Sequence, residues 1–163
     1  MIERTLVVVK PDGVQRGLVG KIITRFEDAG MKIVGMKMSW IDKDFAKRHY
    51  TEEIAKKHGD HIRRFNIDFI TEGPVVAIVV EGINAIENVR KMIGPTEPRQ
   101  AQPGTVRGDF SHVSYEYADR KKMVVRNVVN ASSSKKDAEY EIKLWFTGKE
   151  LHDYKSKFWE VMH

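Results

Sequence analysis

The sequence predicts an α+β fold in which helices cover a ferredoxin-like antiparallel sheet of four strands. Two uninterrupted apolar runs, at residues 5–9 and 75–80, have the length and composition of buried strands. The segments that follow these runs space their apolar residues as helices do. The chain has 163 residues, 41% of them hydrophobic, and shows no repeat or linker, so we expect one domain over residues 1–163.

The first half of the chain predicts the order β-α-β-α-α. The apolar run at 5–9 stops at the turn sequence KPDG, and a helix follows that Gly30 is placed to end. A second strand is expected over about 31–39, and Asp42 is placed to cap the next helix. A further helix begins after the break at Gly59. The apolar residues at helical spacing in these three helices are Val19, Ile22, Ile23, Phe26, Phe45, Ala46, Tyr50, Ile62, Phe65 and Phe69.

The second half of the chain begins with the third strand, which is the apolar run at 75–80. Asn84, with Glu87 three residues later, has the form of a capping box at the start of the next helix. Gly94 and Pro95 are placed to end this helix. Its apolar residues at helical spacing are Ile86, Val89 and Ile93.

The last two elements are a strand and a helix. The strand is expected over 124–130, where valines precede the NASSS sequence. Ser134 is placed to cap a helix that runs to about Leu144. The complete predicted order is therefore β-α-β-α-α-β-α-β-α.

Composition restricts the classes of protein to which the chain can belong. The formal net charge is +5, but the basic residues are mixed with acidic ones, so we do not expect a nucleic-acid partner. The longest apolar run, Val75–Val80, is far shorter than the roughly 20 residues of a membrane helix. Cysteine is absent, which is typical of a reducing compartment. We therefore expect a cytoplasmic protein without a membrane partner.

A loop rich in proline and glycine, GPTEPRQAQPGTVRGDF at 94–110, precedes the fourth strand. It holds three of the five prolines of the chain, together with two threonines and two arginines. Guanidinium groups and hydroxyl donors match phosphate oxygens, and Arg90 lies just before the loop. This composition favours a rigid anion-binding loop, although a solvated loop with incidental charge has the same composition.

Lys10 follows the first buried strand directly. Ligands of α/β-type sheets often bind beyond the ends of strands, so the ammonium group of Lys10 is a candidate for the same anion site. The alternative is a surface lysine that merely closes a strand.

Five segments resemble the nucleoside diphosphate kinase family in order and spacing. They are VVVKPDGVQRGLVGKIITRFE at 7–27, GPVVAIVVEG at 73–82, GPTEPRQAQPGTVRGDF at 94–110, RNVVNASSS at 126–134 and AEYEIKLWF at 138–146. The resemblance implies that a histidine takes the γ-phosphoryl group of a nucleoside triphosphate and passes it to a nucleoside diphosphate. It also implies Mg²⁺ held by the nucleotide phosphates, with no protein side chain as a metal ligand. A homo-oligomer is implied as well, either a hexamer or a tetramer built from dimers.

The resemblance also implies roles for individual residues. The contacts to the phosphates would be Lys10, Arg90, Thr96 and Arg107. Tyr50, Lys10 and Asn127 would line the space between the sugar hydroxyl, the phosphates and the nucleophile. Glu141 would orient the catalytic imidazole, with Ser132 beside it.

The chain departs from the family pattern at the nucleophile. The family signature is Asn, two apolar residues, His, a small residue, Ser and Asp, whereas this chain has NVVNASS at 127–133. The lone pair of an amide nitrogen is delocalised into the carbonyl, so Asn130 cannot attack phosphorus as an imidazole does. The histidines of the chain, at 49, 58, 61, 112, 152 and 163, lie outside this motif.

Because the rest of the pocket is intact, we expect an engineered His→Asn variant of a nucleoside diphosphate kinase. Such a variant would bind nucleotide and be nearly inactive. The alternative is a natural inactive homologue that acts as a nucleotide-binding regulatory protein.

Three further departures concern the surroundings of the nucleophile. Ser133 replaces the Asp of the signature, which we interpret as a structural exchange because both residues cap helices. The segment at 55–66 is longer than in the family, so the contacts to the base are less defined. The candidates for these contacts are Phe65, Ile62 and, on the opposite side, Val124. The segment at 111–123 is also extended, and the sequence assigns it no role.

Overall fold

Four strands form one antiparallel sheet in the order β2-β3-β1-β4. The computed structural model describes residues 1–162, with the backbone alone at Phe158 and Met162, and His163 lies outside the described residues. The strands are β1 Ile2–Val9, β2 Lys32–Ser39, β3 Val75–Ile83 and β4 Val129–Ala131. The predicted α+β class and the ferredoxin-like sheet of four antiparallel strands are confirmed.

Helices connect the strands. In chain order they are α1 Pro11–Gln15, α2 Val19–Asp28, α3 Lys43–His49, α4 Glu52–His58, α5 Asp60–Ile70, α6 Ala85–Ile93, α7 Val106–Phe110, α8 Tyr115–Arg120, α9 Lys135–Trp145 and α10 Lys157–Met162, with 3₁₀ turns at Pro98–Gln100 and Gly148–Glu150. The predicted helices correspond to α2, α3, α5, α6 and α9. The sequence pattern misses α1, α4, α7, α8 and α10 because five to seven residues make too few turns for a clear apolar period.

Each face of the sheet has its own hydrophobic core. Val7 and Val9 of β1 pack on one face, together with Phe26 of α2. Leu6 and Val8 pack on the other face, in a cluster with helical residues. The helical and C-terminal members of this second cluster include Ala46, Tyr50, Ile67, Ile70, Trp145 and Phe146. Because both faces of β1 are covered, its sequence is a continuous apolar run.

Side-chain caps begin two of the predicted helices. Asp42 accepts a hydrogen bond from Phe45 N at 2.7 Å, and Ser134 accepts one from Asp137 N at 3.1 Å, so both predicted caps are confirmed. Ser133 is not the cap of α9. Its hydroxyl instead donates to the Asp137 carboxylate, so capping is not the reason for the structural exchange at Ser133.

The predicted capping box at Asn84 and Glu87 is also wrong. Asn84 has a φ of 47°, in the left-handed region, whereas a capping residue takes an extended conformation. Its side chain makes no capping bond to α6. The Oδ1 atom accepts a hydrogen bond from the amino terminus of Met1 at 3.2 Å instead.

The fourth strand is shorter than predicted, covering Val129–Ala131 rather than 124–130. Val128 has a φ of 60°, which is rare for a β-branched residue and breaks the strand. Its amide donates to Asp12 Oδ2 at 3.1 Å, and its carbonyl accepts from Lys10 N at 2.9 Å. These bonds hold the irregular segment against the turn after β1.

The KPDG turn after β1 has little free space. Lys10 is the residue before α1, and Pro11 is the first residue of that helix. A Cβ atom at Gly13 would lie 2.8 Å from both Val128 O and a methyl group of Val9. Glycine at this position therefore lets α1 approach the start of β4 closely.

Candidate active site

A cavity of about 630 Å³ lies at the end of β1 and the start of β4. Of the residues predicted for the site, Ser132 does not line the cavity but donates to Glu141. The others line it, namely Lys10, Tyr50, Ile62, Phe65, Arg90, Thr96, Arg107, Val124, Asn127, Asn130 and Glu141. The other two polar candidates of the proline-rich loop lie elsewhere. Arg99 is exposed, and its Nε atom lies 3.7 Å from Glu97 Oε1. Thr105 caps α7, because its Oγ1 atom accepts a hydrogen bond from Gly108 N. Of the arginines and threonines in that loop, Thr96 and Arg107 line the cavity.

Lys10 is buried, which excludes the alternative of a surface lysine. The residue is 4% exposed, and its Nζ donates to Asn127 Oδ1. Asn127 Nδ2 donates in turn to the Thr96 carbonyl at 2.7 Å. Burial lowers the pKa of Lys10 to about 7, and the nearby charge of Asp12 opposes this effect. The network fixes the ammonium group at the end of β1.

The Arg107 guanidinium is buried and held by two backbone carbonyls. Nη1 donates to Gly94 O at 2.8 Å and Nη2 donates to Val129 O at 2.7 Å, whereas the buried Nε meets no acceptor among the described residues. Burial, and then the charge of Arg90, lowers the pKa of Arg107 to about 10. Because the charge of Arg90 disfavours the charged form of Arg107, an anion bound between the two groups would relieve their repulsion.

Asn130 lies on the sheet face that α3 and α9 cover. It pairs with Val8 in the antiparallel ladder, and directly opposed residues share a face of the sheet. Val8 belongs to the cluster that contains Tyr50 and Trp145. The position predicted for the nucleophile therefore faces the helices that carry Tyr50 and Glu141.

Glu141, on α9, is the carboxylate of this face. Its Oε2 accepts a hydrogen bond from Ser132 Oγ at 2.5 Å. Burial raises the pKa of Glu141 to about 7, although the hydrogen bond from Ser132 acts in the opposite direction. Burial, followed by the charge of Glu141, raises the pKa of Tyr50 as well. Both groups therefore hold their protons more tightly than they would in water.

The two extended segments, 55–66 and 111–123, also line the cavity. The first contains the predicted base contacts Ile62 and Phe65, and the second has no predicted role. Helices α4 and α5 contribute Lys57, His58 and His61, and α8 contributes Tyr115 and Asp119. All five of these residues are exposed. The only signal for them in the sequence is the extra length at 55–66 and 111–123. That signal indicates inserted structure and says nothing about where the inserted residues lie.

Phe65 and Val124, the candidates for base contacts, are both half-buried in the cavity wall. The Phe65 ring meets the His61 ring edge to face, with their centroids 6.1 Å apart. This arrangement leaves an aromatic surface at the cavity wall on which a base can stack.

Sequence reasoning also missed His49, a histidine of the cavity wall. The residue is buried, and its Nδ1 accepts a hydrogen bond from Trp145 Nε1 at 3.1 Å. Burial lowers the pKa of His49 to about 4, so its ring is neutral near pH 7. Because the Nδ1 lone pair is engaged, the proton of the neutral ring lies on Nε2. Neither nitrogen then offers a free lone pair for attack on phosphorus.

Within residues 1–162, no group of three or more His, Cys, Asp or Glu side chains could hold a metal ion. No helix in the same range is long and apolar enough to cross a membrane.

The cavity combines buried cations with a carboxylate and an amide at the end of one strand. The family model described as nucleoside diphosphate kinase matches residues 3–151. The chain belongs to the nucleoside diphosphate kinase family. The predicted family is thereby confirmed, and its members are nucleotide-binding phosphotransferases.

The chain is similar to nucleoside diphosphate kinases of different organisms. The nucleoside diphosphate kinase of Pyrococcus abyssi is 53% identical over 152 residues, which cover 93% of this chain and 89% of the relative. That of Borreliella burgdorferi is 45% identical over 156 residues, which cover 95% and 93%. A solved structure described as a transition state mimic of the Borrelia burgdorferi nucleoside diphosphate kinase, with bound vanadate and ADP, superposes with a TM-score of 0.97. It is 44% identical, and the match covers 99% of this chain and 96% of that one.

Proposed function

We propose that the cavity binds nucleoside di- and triphosphates through Lys10, Arg90, Thr96 and Arg107. The observation that carries this proposal is the meeting of one ammonium and two guanidinium groups in a single cavity. Two of these cations, Lys10 and Arg107, are buried, and buried cations need anionic partners. The similar Borrelia burgdorferi structure, described with bound vanadate and ADP, supports a nucleotide as that partner.

We further propose that Mg²⁺ enters with the nucleotide and is coordinated by phosphate oxygens. The donors of the cavity fit this arrangement because the cations at its phosphate contacts can bind phosphate oxygens but cannot bind a metal. When bound, the ion neutralises part of the phosphate charge. Lys10 and Arg107 orient the same phosphate chain from the protein side.

We propose that members of this family with histidine at position 130 use it as the nucleophile, with Glu141 orienting the imidazole. Tyr50 and Asn127 would line the space between the sugar hydroxyl and the phosphates. In this chain Asn130 lacks the nucleophilic nitrogen. The protein therefore transfers almost no phosphoryl group between nucleotides. The intact surroundings of Asn130 favour an engineered His→Asn variant. The alternative proposal is a natural inactive homologue that regulates by binding nucleotide.

The remaining proposals concern the base and the assembly. We propose that the base stacks on Phe65, with Val124 on its other side. We also propose one domain over 1–163 that forms a homo-oligomer, either a hexamer or a tetramer built from dimers. The exposed side chains of Met36 and Met38 on the outermost strand β2 support self-association. The absence of cysteine supports a cytoplasmic location.

Calorimetric titration with Mg²⁺-ADP and Mg²⁺-ATP tests the binding proposal. We expect saturable binding of both nucleotides below millimolar concentration. Arg99→Ala is the matched control, because Arg99 lies in the same loop as Thr96 and Arg107 but outside the cavity. We expect this substitution to leave the affinity for both nucleotides unchanged. Absence of binding at millimolar nucleotide would overturn the proposal.

A further inference from the structure

Glu141 has no imidazole to orient in this chain. Its carboxylate lines the same cavity as Asn130, and the residue is partly buried on α9. Ser132 occupies Oε2 through a hydrogen bond of 2.5 Å, and Oε1 receives no hydrogen bond from a described residue. One carboxylate oxygen is therefore available to another hydrogen-bond donor.

The backbone fixes this carboxylate relative to position 130. Asn130 pairs with Val8 in the ladder of β1 and β4, and Ser132 N, one residue beyond β4, continues this pairing by donating to Leu6 O at 3.1 Å. Residues two apart along a strand project to the same face. The Ser132 hydroxyl that holds Glu141 thus lies beside the Asn130 side chain, on the face covered by α9.

We propose that this chain slowly hydrolyses nucleoside triphosphates, with Glu141 as the general base for a water molecule next to Asn130. The proposal rests on the nucleotide binding proposed above. The water oxygen forms a bond to the γ-phosphorus while the bond from that phosphorus to the β,γ-bridging oxygen breaks. The nucleoside diphosphate leaves with the electron pair of that bond, and the water proton passes to Glu141. The products are nucleoside diphosphate and inorganic phosphate.

The chemistry of the side chains supports these assignments. An asparagine side chain is shorter than a histidine side chain, which leaves room for a water molecule, and its amide can hydrogen-bond to that water. A general base works best when its pKa lies near the working pH, and burial raises the pKa of Glu141 to about 7. Lys10 and Arg107 supply positive charge for the phosphates and the leaving group.

Other titratable groups near Glu141 are poor candidates for this role. Tyr50 keeps its proton because burial raises its pKa. Asp137, on the same helix, accepts hydrogen bonds from the hydroxyls of Ser133 and Ser134, which lower its pKa. The Asp12 carboxylate binds the Val128 amide through Oδ2. The ring nitrogens of His49 are engaged or protonated, as described above.

Phosphate release from Mg²⁺-ATP by this chain tests the inference. We expect a Glu141→Gln variant to release phosphate about 100-fold more slowly, which is the scale of general base catalysis. Glu139→Gln is the matched control, because Glu139 is exposed on the same helix, and its rate should equal that of the parent. In water labelled with oxygen-18, one labelled oxygen should enter the phosphate and none should enter ADP.

A pH profile separates general base catalysis from a purely structural effect. At saturating nucleotide, turnover should rise with pH above about 7, because Glu141 accepts a proton only when it is ionised and the bound phosphates raise its pKa further. Glu141→Gln should lack this rise, and Glu141→Asp should retain it at a lower rate. Other titratable groups of the cavity that could contribute include Lys10, Tyr50, His58, His61, Arg107 and Asp137. Only a rise that disappears in Glu141→Gln supports the inference.

Calorimetry on the same proteins distinguishes the two proposals. If the parent binds Mg²⁺-ATP but releases phosphate no faster than Glu141→Gln, the hydrolysis inference is overturned and the binding proposal stands. If the parent binds no nucleotide, both proposals fall.

Discussion

The two regions of the cavity wall differ in how firmly their side chains are held. We call the first the strand-end region, which comprises Lys10, Arg107, Asn127, Asn130 and Glu141. The second is the helical rim, which comprises Lys57, His58, His61, Phe65, Tyr115 and Asp119. In the strand-end region, Lys10 bonds to Asn127, Arg107 and Asn127 bond to backbone carbonyls, and Glu141 accepts a hydrogen bond from Ser132. Most of the rim is exposed.

This difference indicates where the chemistry takes place. A group that stabilises developing charge must be held in place before the reaction, and the network from Lys10 to Asn127 and Thr96 provides this. Two of the three helices of the rim, α4 and α8, are short, and α4 contains no buried residue. We infer that the strand-end region determines phosphate binding and turnover, whereas the rim adjusts the fit of the base.

The largest effect is expected from Asn130→His, which tests whether the strand-end region lacks only a nucleophilic ring nitrogen. Asn130→His should switch phosphoryl transfer on, because it restores a ring nitrogen beside Glu141. Removal of the covalent nucleophile of a protease lowers kcat by about 10⁶, and we use that as the scale. Incubation with γ-labelled ATP should give an acid-labile, base-stable phosphoprotein, which a nucleoside diphosphate then discharges.

Two results would contradict that prediction. Comparable labelling and turnover in the Asn130 form would show that position 130 is not the nucleophile site. An inert Asn130→His variant would show that Ser133 or the segment at 55–66 disables the cavity as well.

The strand-end region is also the part that the sequence predicts best. Strand β1 is a continuous apolar run, so its end at Lys10 is easy to locate, and the family motif covers Asn127 and Asn130. The left-handed turn at Val128 could not be predicted, since it depends on bonds to Asp12 and Lys10 from distant parts of the chain. A local pattern predicts local geometry, and this turn is set by tertiary contacts.

The helical rim was not predictable for a different reason. Its helices α4 and α8 have seven and six residues, which is too short for an apolar period to be visible. Their placement at the cavity depends on packing with other elements, which one sequence does not reveal. Phe65 was identified as a candidate because it is an aromatic residue in the segment 55–66, where the family resemblance implies a contact to the base.

A smaller effect is expected from Arg107→Ala, which should weaken binding of Mg²⁺-ADP by about 1.5–3 kcal/mol. The substitution removes the proposed contact to phosphate, and the carbonyls of Gly94 and Val129 lose their donors. Arg107→Lys should recover only part of the affinity, because a point charge does not reproduce the planar fork. Calorimetry measures the affinities, and circular dichroism verifies folding. Unchanged affinity in a folded Arg107→Ala protein would place the phosphate site elsewhere.

Proton uptake tests the electrostatics of the strand-end region. Burial lowers the pKa of Lys10 to about 7, so at pH 8 most of the free protein has a neutral Lys10. A bound phosphate favours the charged form, so binding at pH 8 should take up nearly one proton. The affinity should fall by up to about tenfold per pH unit above 7. Titrations in buffers of different ionisation enthalpy measure the uptake.

A second group titrates in the same range, so the control removes it. The pKa of Glu141 is also about 7, and bound phosphate favours its protonated form in the same direction. The measurement therefore uses Glu141→Gln as the parent and adds Lys10→Met to it. Equal uptake with and without Lys10 would show that this lysine is already charged in the free cavity.

The smallest effect is expected on the rim, from Phe65→Ala. The ring is half-buried and its edge-to-face partner His61 is exposed, so we expect a loss of about 1 kcal/mol for ADP, at the low end of base stacking on an aromatic ring. Inorganic pyrophosphate carries two phosphates without a base, so its affinity should not change. If Phe65→Ala weakens both ligands equally, the rim acts on the phosphates after all and the division between the two regions fails. If ADP binding is unaffected, the base contact belongs to another rim residue. A selective loss for ADP alone would show that the rim binds the base while the strand-end region binds the phosphates.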